Sequence, residues 1–188
     1  MMNVSRIASI LAIAACLGAC ATPAPTYPPS AANAAAASRL HASIAVGKFE
    51  FATGRQSDLN SVRARANTFS SPVNNSYTDY IANAARVDLE SAGRLESTSP
   101  RVLTGVLEKN ELHADGILTN ESSIAVRFRL ADAEQIRYDK VVAIDDQWES
   151  SFLGAIAIPR AIQNYVVSVQ KLLGKLFADP DFLAATAR

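Results

Sequence analysis

Apolar side chains follow a two-residue period in the second half of the chain, and this period predicts three consecutive strands. Between residues 124 and 130 every second position is a large apolar residue, which is typical of a strand with one buried and one solvated face. The Val- and Leu-rich segment 101–115 precedes this strand and segment 137–148 follows it, with short polar turns between them. We therefore expect an antiparallel meander with one apolar face.

Two other segments follow the helical period and predict amphipathic helices. Ser76 is placed to cap a helix over residues 77–92, and Gly93 is placed to end it. A longer helix is predicted over residues 159–178, with Pro159 in its first turn, because its large apolar residues form one stripe opposite the polar ones. Each helix has one face to bury, and the apolar face of the meander is its natural partner.

The first half of the domain adds one strand and a long loop. Residues 41–51 alternate in polarity, and the alternation changes phase at Gly47, which indicates a bulge. The polar stretch 52–75 predicts a loop that holds no more than one helical turn. The order strand, helix, three strands, helix predicts an α+β fold. We expect a two-layer sandwich, in which an antiparallel sheet of about four strands is covered on one face by two amphipathic helices.

The start of the chain has the pattern of an export signal. A basic residue, Arg6, is followed by the apolar run Ile7 to Ala19, which is shorter than the roughly 20 residues that span a bilayer. Residues 1–19 are therefore predicted to be a cleaved signal peptide. The sequence Leu17-Gly18-Ala19-Cys20 resembles the lipobox of bacterial lipoproteins, and this resemblance implies that Cys20 becomes the acylated first residue. The alternative is an ordinary secreted protein with a cysteine near its cleavage site.

The cysteines and the next segment fit this interpretation. Cys16 and Cys20 are the only cysteines, so a mature chain starting at Cys20 has no disulfide and no free thiol. Residues 20–40 are rich in Pro and Ala and predict an extended tether from the acylated cysteine to a single periplasmic domain over residues 41–188. Ala21, rather than Asp, follows the cysteine. By resemblance to enteric lipoproteins this favours the periplasmic face of the outer membrane.

Composition and charge exclude several function classes. The 18 basic and 18 acidic side chains balance, which argues against a nucleic-acid binder. The sequence contains no motif of a hydrolase, a nucleotide-binding loop or a zinc protease. His113 and Asp115 share a strand face, but one such pair is a weak metal signal. We therefore expect no enzyme, with no catalytic residue, no metal site and no cofactor.

The C-terminal half resembles a known family. The run Tyr138-Asp139-Lys140, the strand ending at Trp148, the Gly154-Ala155 loop, the helix with Tyr165 and Val169 and the tail 176–182 resemble YajG-type outer-membrane lipoproteins. The resemblance implies an envelope location and an accessory or binding role.

The layout is also similar to that of the auxiliary lipoproteins of lipid-transporting ABC systems and of a lipopolysaccharide-assembly lipoprotein. We expect a membrane-anchored, non-enzymatic module of cell-envelope assembly or transport with an envelope protein partner. A lipid carrier and an unrecognised hydrolase remain as alternatives.

Two groups of residues are candidates for contact with a partner protein or with lipid. The apolar run 152–158 has neither strand nor helix period. Either it is a buried turn into the last helix, with Phe152 and Ile156 plugging the end of the core, or Phe152, Leu153 and Ile156 form an exposed lip for a partner protein or a lipid tail. Arg55, Arg63 and Arg65 lie in the predicted loop and are candidates for contact with lipid phosphates.

Overall fold

A computed structural model describes residues 21–116 and 118–187. The signal segment and Cys20 lie outside the described residues, so the prediction that Cys20 is acylated is carried by the sequence alone. The helices and strands follow one another in this order: β1 Thr22–Pro23, α1 Ala31–Ala37, β2 Ala45–Phe51, α2 Gln56–Leu59, β3 Val62–Ala64, β4 Asn67–Ser70, α3 Tyr77–Ser91, β5 Arg101–His113, β6 Thr119–Asp132, β7 Gln135–Glu149, α4 Gly154–Ala178 and α5 Pro180–Ala185.

One mixed sheet forms the scaffold. Its strands run in the order β1-β4-β3-β5-β6-β7, and β2 also pairs with β5. The predicted α+β class is confirmed, but the described sheet has seven strands rather than about four, and β1, β2 and β3 each pair in parallel with a neighbour. The sequence missed β1, β3 and β4 because strands of two to four residues are too short for alternation to stand out.

The predicted meander is confirmed as β5, β6 and β7, which pair antiparallel along nearly their whole length. The alternating positions of β6 from Ile124 to Leu130 are fully buried on the inner face. The register of β2 against β5 shifts between Val46 and Phe49, which confirms the expected bulge. Gly105 on β5 leaves room for the Phe49 ring, which meets the Phe128 ring edge-on at 5.9 Å.

Helices α3 and α4 cover the inner face of the sheet. The Ser76 side chain accepts a hydrogen bond from the Asp79 backbone N–H, so the expected cap of α3 is present. Helix α4 begins at Gly154, five residues before Pro159, which therefore lies inside the helix rather than in its first turn. Part of the run 152–158 thus belongs to the helix that follows it.

The segment predicted to be an extended tether is folded into the domain. Tyr27, Asn33, Ala37 and Leu40 are buried, and α1 packs against α3 and α4. This corrects the expectation for residues 21–40. Small side chains let α1 approach its neighbours closely, and polar partners on other elements replace the large apolar residues that the segment lacks.

The predicted loop over residues 52–75 also has regular structure. Helix α2 supplies the single turn that was expected, but β3 and β4 form an additional antiparallel hairpin with Val62 opposite Phe69. Both side chains are buried in the core. The hairpin extends the sheet from β5 toward β1, and its turn lies at the end of the sheet where β5 ends.

Candidate functional site

Three chain segments meet at one end of the sheet. Arg63 of β3 pairs with His113 at the end of β5, so the β3–β4 turn and the β5–β6 turn are neighbours. The β5–β6 turn is joined to the segment after β7 because the Ser150 backbone N–H donates to the Leu118 carbonyl at 2.8 Å. The Ser150 hydroxyl also donates to the Gly116 carbonyl at 2.7 Å. This end lies opposite the β6–β7 hairpin.

Large apolar side chains are exposed at this end. Leu118 is 80% exposed, Phe152 77%, Leu153 59% and Ile156 46%. We term these four side chains the apolar tip. Of the two alternatives for the run 152–158, the structure has the exposed one for Phe152, Leu153 and Ile156, while Ala157 behind them is buried.

Sequence reasoning missed Leu118. This residue follows Ile117 in the short segment between β5 and β6, and two consecutive apolar residues give no periodic signal. Only the pairing of β6 with β7 brings it next to the segment that contains Phe152, since Thr119 pairs with Glu149.

Arg65 holds the backbone of Ser151 and Phe152 in place. Its guanidinium donates to the carbonyl oxygens of Ser151 and Phe152, the latter at 3.1 Å. Arg65 has a φ of 55° in the tight turn between β3 and β4, which aims its side chain across the end of the sheet. A Cβ added at Gly154 would lie 3.2 Å from the Arg65 guanidinium, so the start of α4 packs closely on this arginine. The backbone at Ser151 and Phe152 is therefore held by hydrogen bonds from the Arg65 side chain, while the Phe152 side chain stays exposed.

The three predicted lipid-contacting arginines have different surroundings. Arg55 forms an exposed ion pair with Asp58 at 3.0 Å, and Arg65 is engaged by the carbonyls described above. The Arg63 side chain is exposed to solvent. It lines a cleft of about 510 Å³ together with Asp58 and Asp115. Contact of these arginines with lipid phosphates stays a prediction, with Arg63 as its most accessible member.

Titratable side chains of the described sheet lie in ion pairs and short polar contacts. The described residues contain no cluster of three or more His, Cys, Asp or Glu side chains suited to a metal. His113 contacts Glu111 at 3.3 Å on the exposed face of the sheet. Hydrogen bonds from Arg127 and Arg129 lower the pKa of Asp139, so this carboxylate is an ion-pair partner and not a proton donor near neutral pH.

A buried carboxylate on α3 fixes the N-terminal segment. The Asp88 carboxylate is fully buried and accepts hydrogen bonds from the Tyr27 hydroxyl at 2.7 Å, the Asn33 amide at 2.8 Å and the Ser30 backbone N–H at 3.0 Å. Asn33 also donates to the Gln170 carbonyl of α4 at 2.9 Å. Burial, together with the adjacent Asp88, raises the pKa of the Tyr27 hydroxyl, which therefore stays a proton donor to the carboxylate.

The chain enters the fold at the same end as the apolar tip. Thr22 pairs with Phe69 and Pro23 with Ser70, and β1 runs parallel to β4. Since β4 begins at the turn that contains Arg65 and β1 runs parallel to it, the N-terminal end of β1 faces that turn. The Tyr80 hydroxyl donates to the Pro25 carbonyl at 3.2 Å and fixes the chain just after β1.

Solved structures were found that align with this chain at low sequence identity. A Xanthomonas campestris protein of the DUF330 family aligns with a TM-score of 0.52 and 15% identity over 84% of this chain and 90% of its own. A minor lipoprotein from Acinetobacter baumannii aligns with a TM-score of 0.39 and 8% identity over 73% of this chain and 94% of its own. No protein-family model and no curated protein matches the sequence. Within the two described ranges, none of the helices has the length and apolar character that crossing a bilayer requires. The chain is thus similar in fold to the Xanthomonas protein.

Proposed function

We infer that the protein is a bacterial lipoprotein, held by acyl chains on Cys20, whose domain sits directly against the membrane. The observation that carries this proposal is the position of β1. Thr22 is already hydrogen-bonded into the sheet through its strand, and only Ala21 separates it from Cys20. An anchor at Cys20 therefore connects to the folded domain without a spacer.

An accessory, non-enzymatic role is the activity that the described residues support best. The space between the helices and the sheet is filled by side chains that are fully buried, among them Tyr77, Tyr80, Tyr165 and Phe128. The rings of Tyr77 and Tyr165 meet edge-on at 5.6 Å, and the Tyr165 hydroxyl donates to Asn110 at 2.7 Å. A packed interior of this kind supports an interaction module over a lipid carrier, which needs an apolar cavity of several hundred Å³.

The membrane and the face of it that we propose rest on the sequence. Ala21 after the cysteine and the resemblance to YajG-type lipoproteins support the periplasmic face of the outer membrane. The partner we propose is a component of an envelope assembly or transport system.

Metabolic labelling tests the anchor. Cells that express the full chain are labelled with radioactive palmitate, and the protein is expected to carry the label and to sediment with membranes. The Cys20→Ser variant is expected to lose the label and to keep an uncleaved signal segment. A Cys16→Ser variant is the matched control, because Cys16 lies within the predicted signal peptide and its loss should leave labelling unchanged. An unlabelled wild-type protein would overturn the proposal.

Lipid analysis tests the accessory role. The membrane-extracted protein is expected to carry its covalent acyl chains and no other lipid in stoichiometric amount. One mole of a non-covalent lipid per mole of protein would replace the accessory role with that of a carrier.

A further inference from the structure

We propose that the apolar tip, Leu118, Phe152, Leu153 and Ile156, inserts among the acyl chains of the same bilayer that holds Cys20. This inference rests on the proposed lipid anchor and names the surface that the anchored domain turns toward the membrane. It assigns the exposed apolar residues to lipid, and not to a protein partner.

The distribution of exposed apolar side chains is the first argument. Seven large apolar side chains of the described residues are more than a third exposed, and four of them form the apolar tip. The other three are scattered, with Ile136 at the β6–β7 hairpin, Val141 along β7 and Val167 on α4. Single exposed apolar residues are ordinary, whereas a cluster marks a contact surface.

The reach of the chain is the second argument. Consecutive Cα atoms are about 3.8 Å apart, so Cys20 lies within about 8 Å of Thr22. Thr22 begins β1, and the N-terminal end of this strand faces the β3–β4 turn, which contains Arg65. The acyl chains on Cys20 are therefore confined to the end of the sheet at which the apolar tip lies, and a bilayer that receives them faces this end.

Arg65 gives the third argument, because it joins the anchor side to the apolar tip. Strands β3 and β4 separate β1 from β5, and neighbouring strands lie about 4.8 Å apart, so the β3–β4 turn is roughly 10 Å from the entry of the chain. From this turn Arg65 reaches the carbonyls of Ser151 and Phe152. Phe152 is thus held at the same end of the sheet as the entry of the chain.

Charged residues limit how deep the surface can go. Arg63, Asp115 and Glu149 are exposed on the strands and turns just behind the apolar tip. Side chains of this kind stay at the level of the headgroups, while apolar side chains of interfacial segments reach roughly 5–10 Å into the boundary with the acyl chains. The arrangement fits shallow insertion and not a membrane-spanning element.

A single-cysteine reporter tests the inference. The mature chain has no cysteine other than the acylated Cys20, so Phe152→Cys introduces the only free thiol. The lipidated protein is labelled with an environment-sensitive fluorophore and reconstituted into vesicles of phosphatidylethanolamine and phosphatidylglycerol that contain lipids with a nitroxide on the acyl chain. Ile136→Cys is the matched control, since Ile136 is 52% exposed and lies at the opposite end of the sheet.

The label at position 152 is expected to lose about half of its emission to the nitroxide lipids, consistent with insertion to the acyl boundary, and the label at 136 is expected to keep its emission. A Leu153→Cys reporter should behave like Phe152→Cys. If the labels at 152 and 136 both stay unquenched in a protein that is acylated and membrane-bound, the insertion is refuted while the lipid anchor is retained. The apolar tip would then be assigned to a protein partner. If the protein takes up no palmitate, the proposed function itself fails.

Discussion

Residues 21–40 are mostly small or polar and are nevertheless packed into the domain, whereas residues 152–156 are largely apolar and are nevertheless exposed. The first segment has Ala and Pro at most of its positions and still buries Tyr27, Asn33 and Leu40. The second leaves more than half of Phe152 and of Leu153 exposed to solvent.

The contrast teaches that burial depends on the partners a segment finds. Asp88 offers the N-terminal segment three hydrogen bonds in the interior, and the small side chains of α1 allow close approach to α3 and α4. The segment at 152–156 is fixed by Arg65 through backbone carbonyls, which leaves its side chains free to point outward. Mean hydropathy describes neither arrangement.

The largest expected effect compares one leucine from each segment. Leu40→Ser should lower the free energy of unfolding by about 3–5 kcal/mol, because it leaves a cavity and a buried hydroxyl where the side chain is now 1% exposed. Leu153→Ser, at a side chain that is 59% exposed, should stay within about 0.5 kcal/mol of wild type. Thermal unfolding followed by circular dichroism measures both. Equal losses in the two variants would contradict the comparison.

Removal of the buried Asp88 carboxylate should have the second largest effect on stability. Asp88→Ala leaves the Tyr27 hydroxyl without its acceptor and removes one acceptor of the Asn33 amide, which keeps the Gln170 carbonyl, and we expect a loss of about 3 kcal/mol. Limited proteolysis should then cut within residues 21–40, since the segment is no longer held. Glu90→Ala is the control, because Glu90 is exposed on the same helix and should change neither readout.

The close packing of α1 can be tested by adding volume. Ala37→Leu places a large side chain at a fully buried position and is expected to cost about 1–3 kcal/mol. Ala35→Leu makes the same change on the exposed side of the helix and should be nearly neutral. If denaturant unfolding shows both variants to be neutral, α1 does not pack in solution as the structure shows it.

The smallest effect concerns the fixation of residues 152–156. Arg65→Ala removes two hydrogen bonds to backbone carbonyls and is expected to cost about 1 kcal/mol. Hydrogen exchange of the amides at 152–156 should accelerate, with little change elsewhere. Arg63→Ala, two positions away, should leave the exchange of these amides at the wild-type rate. Faster exchange in the Arg63 variant would mean that general charge, and not the Arg65 contacts, orders the segment.

Much of the central fold could be predicted because long segments contain enough repeats of the strand or helix period to identify the element. The alternation at Ile124 to Leu130 located β6, and the Ser76 cap and Gly93 located α3. The short strands β1, β3 and β4 could not be found in this way, since two to four residues carry too little pattern. The candidate contact site was found in part: Phe152, Leu153 and Ile156 stood out as an apolar run, whereas Leu118 did not.

The sequence by itself determined the α+β class, the meander and the two long amphipathic helices, because the periods of strand and helix arise from local backbone geometry. Only the tertiary structure decided which segments are buried and which side chains meet at one end of the sheet. The decisive contacts join residues far apart in the chain, 61 positions for Tyr27 and Asp88 and 87 for Arg65 and Phe152. A local pattern cannot encode such pairs, so burial of the Pro/Ala segment and exposure of the apolar run follow from packing and polar satisfaction across the whole domain.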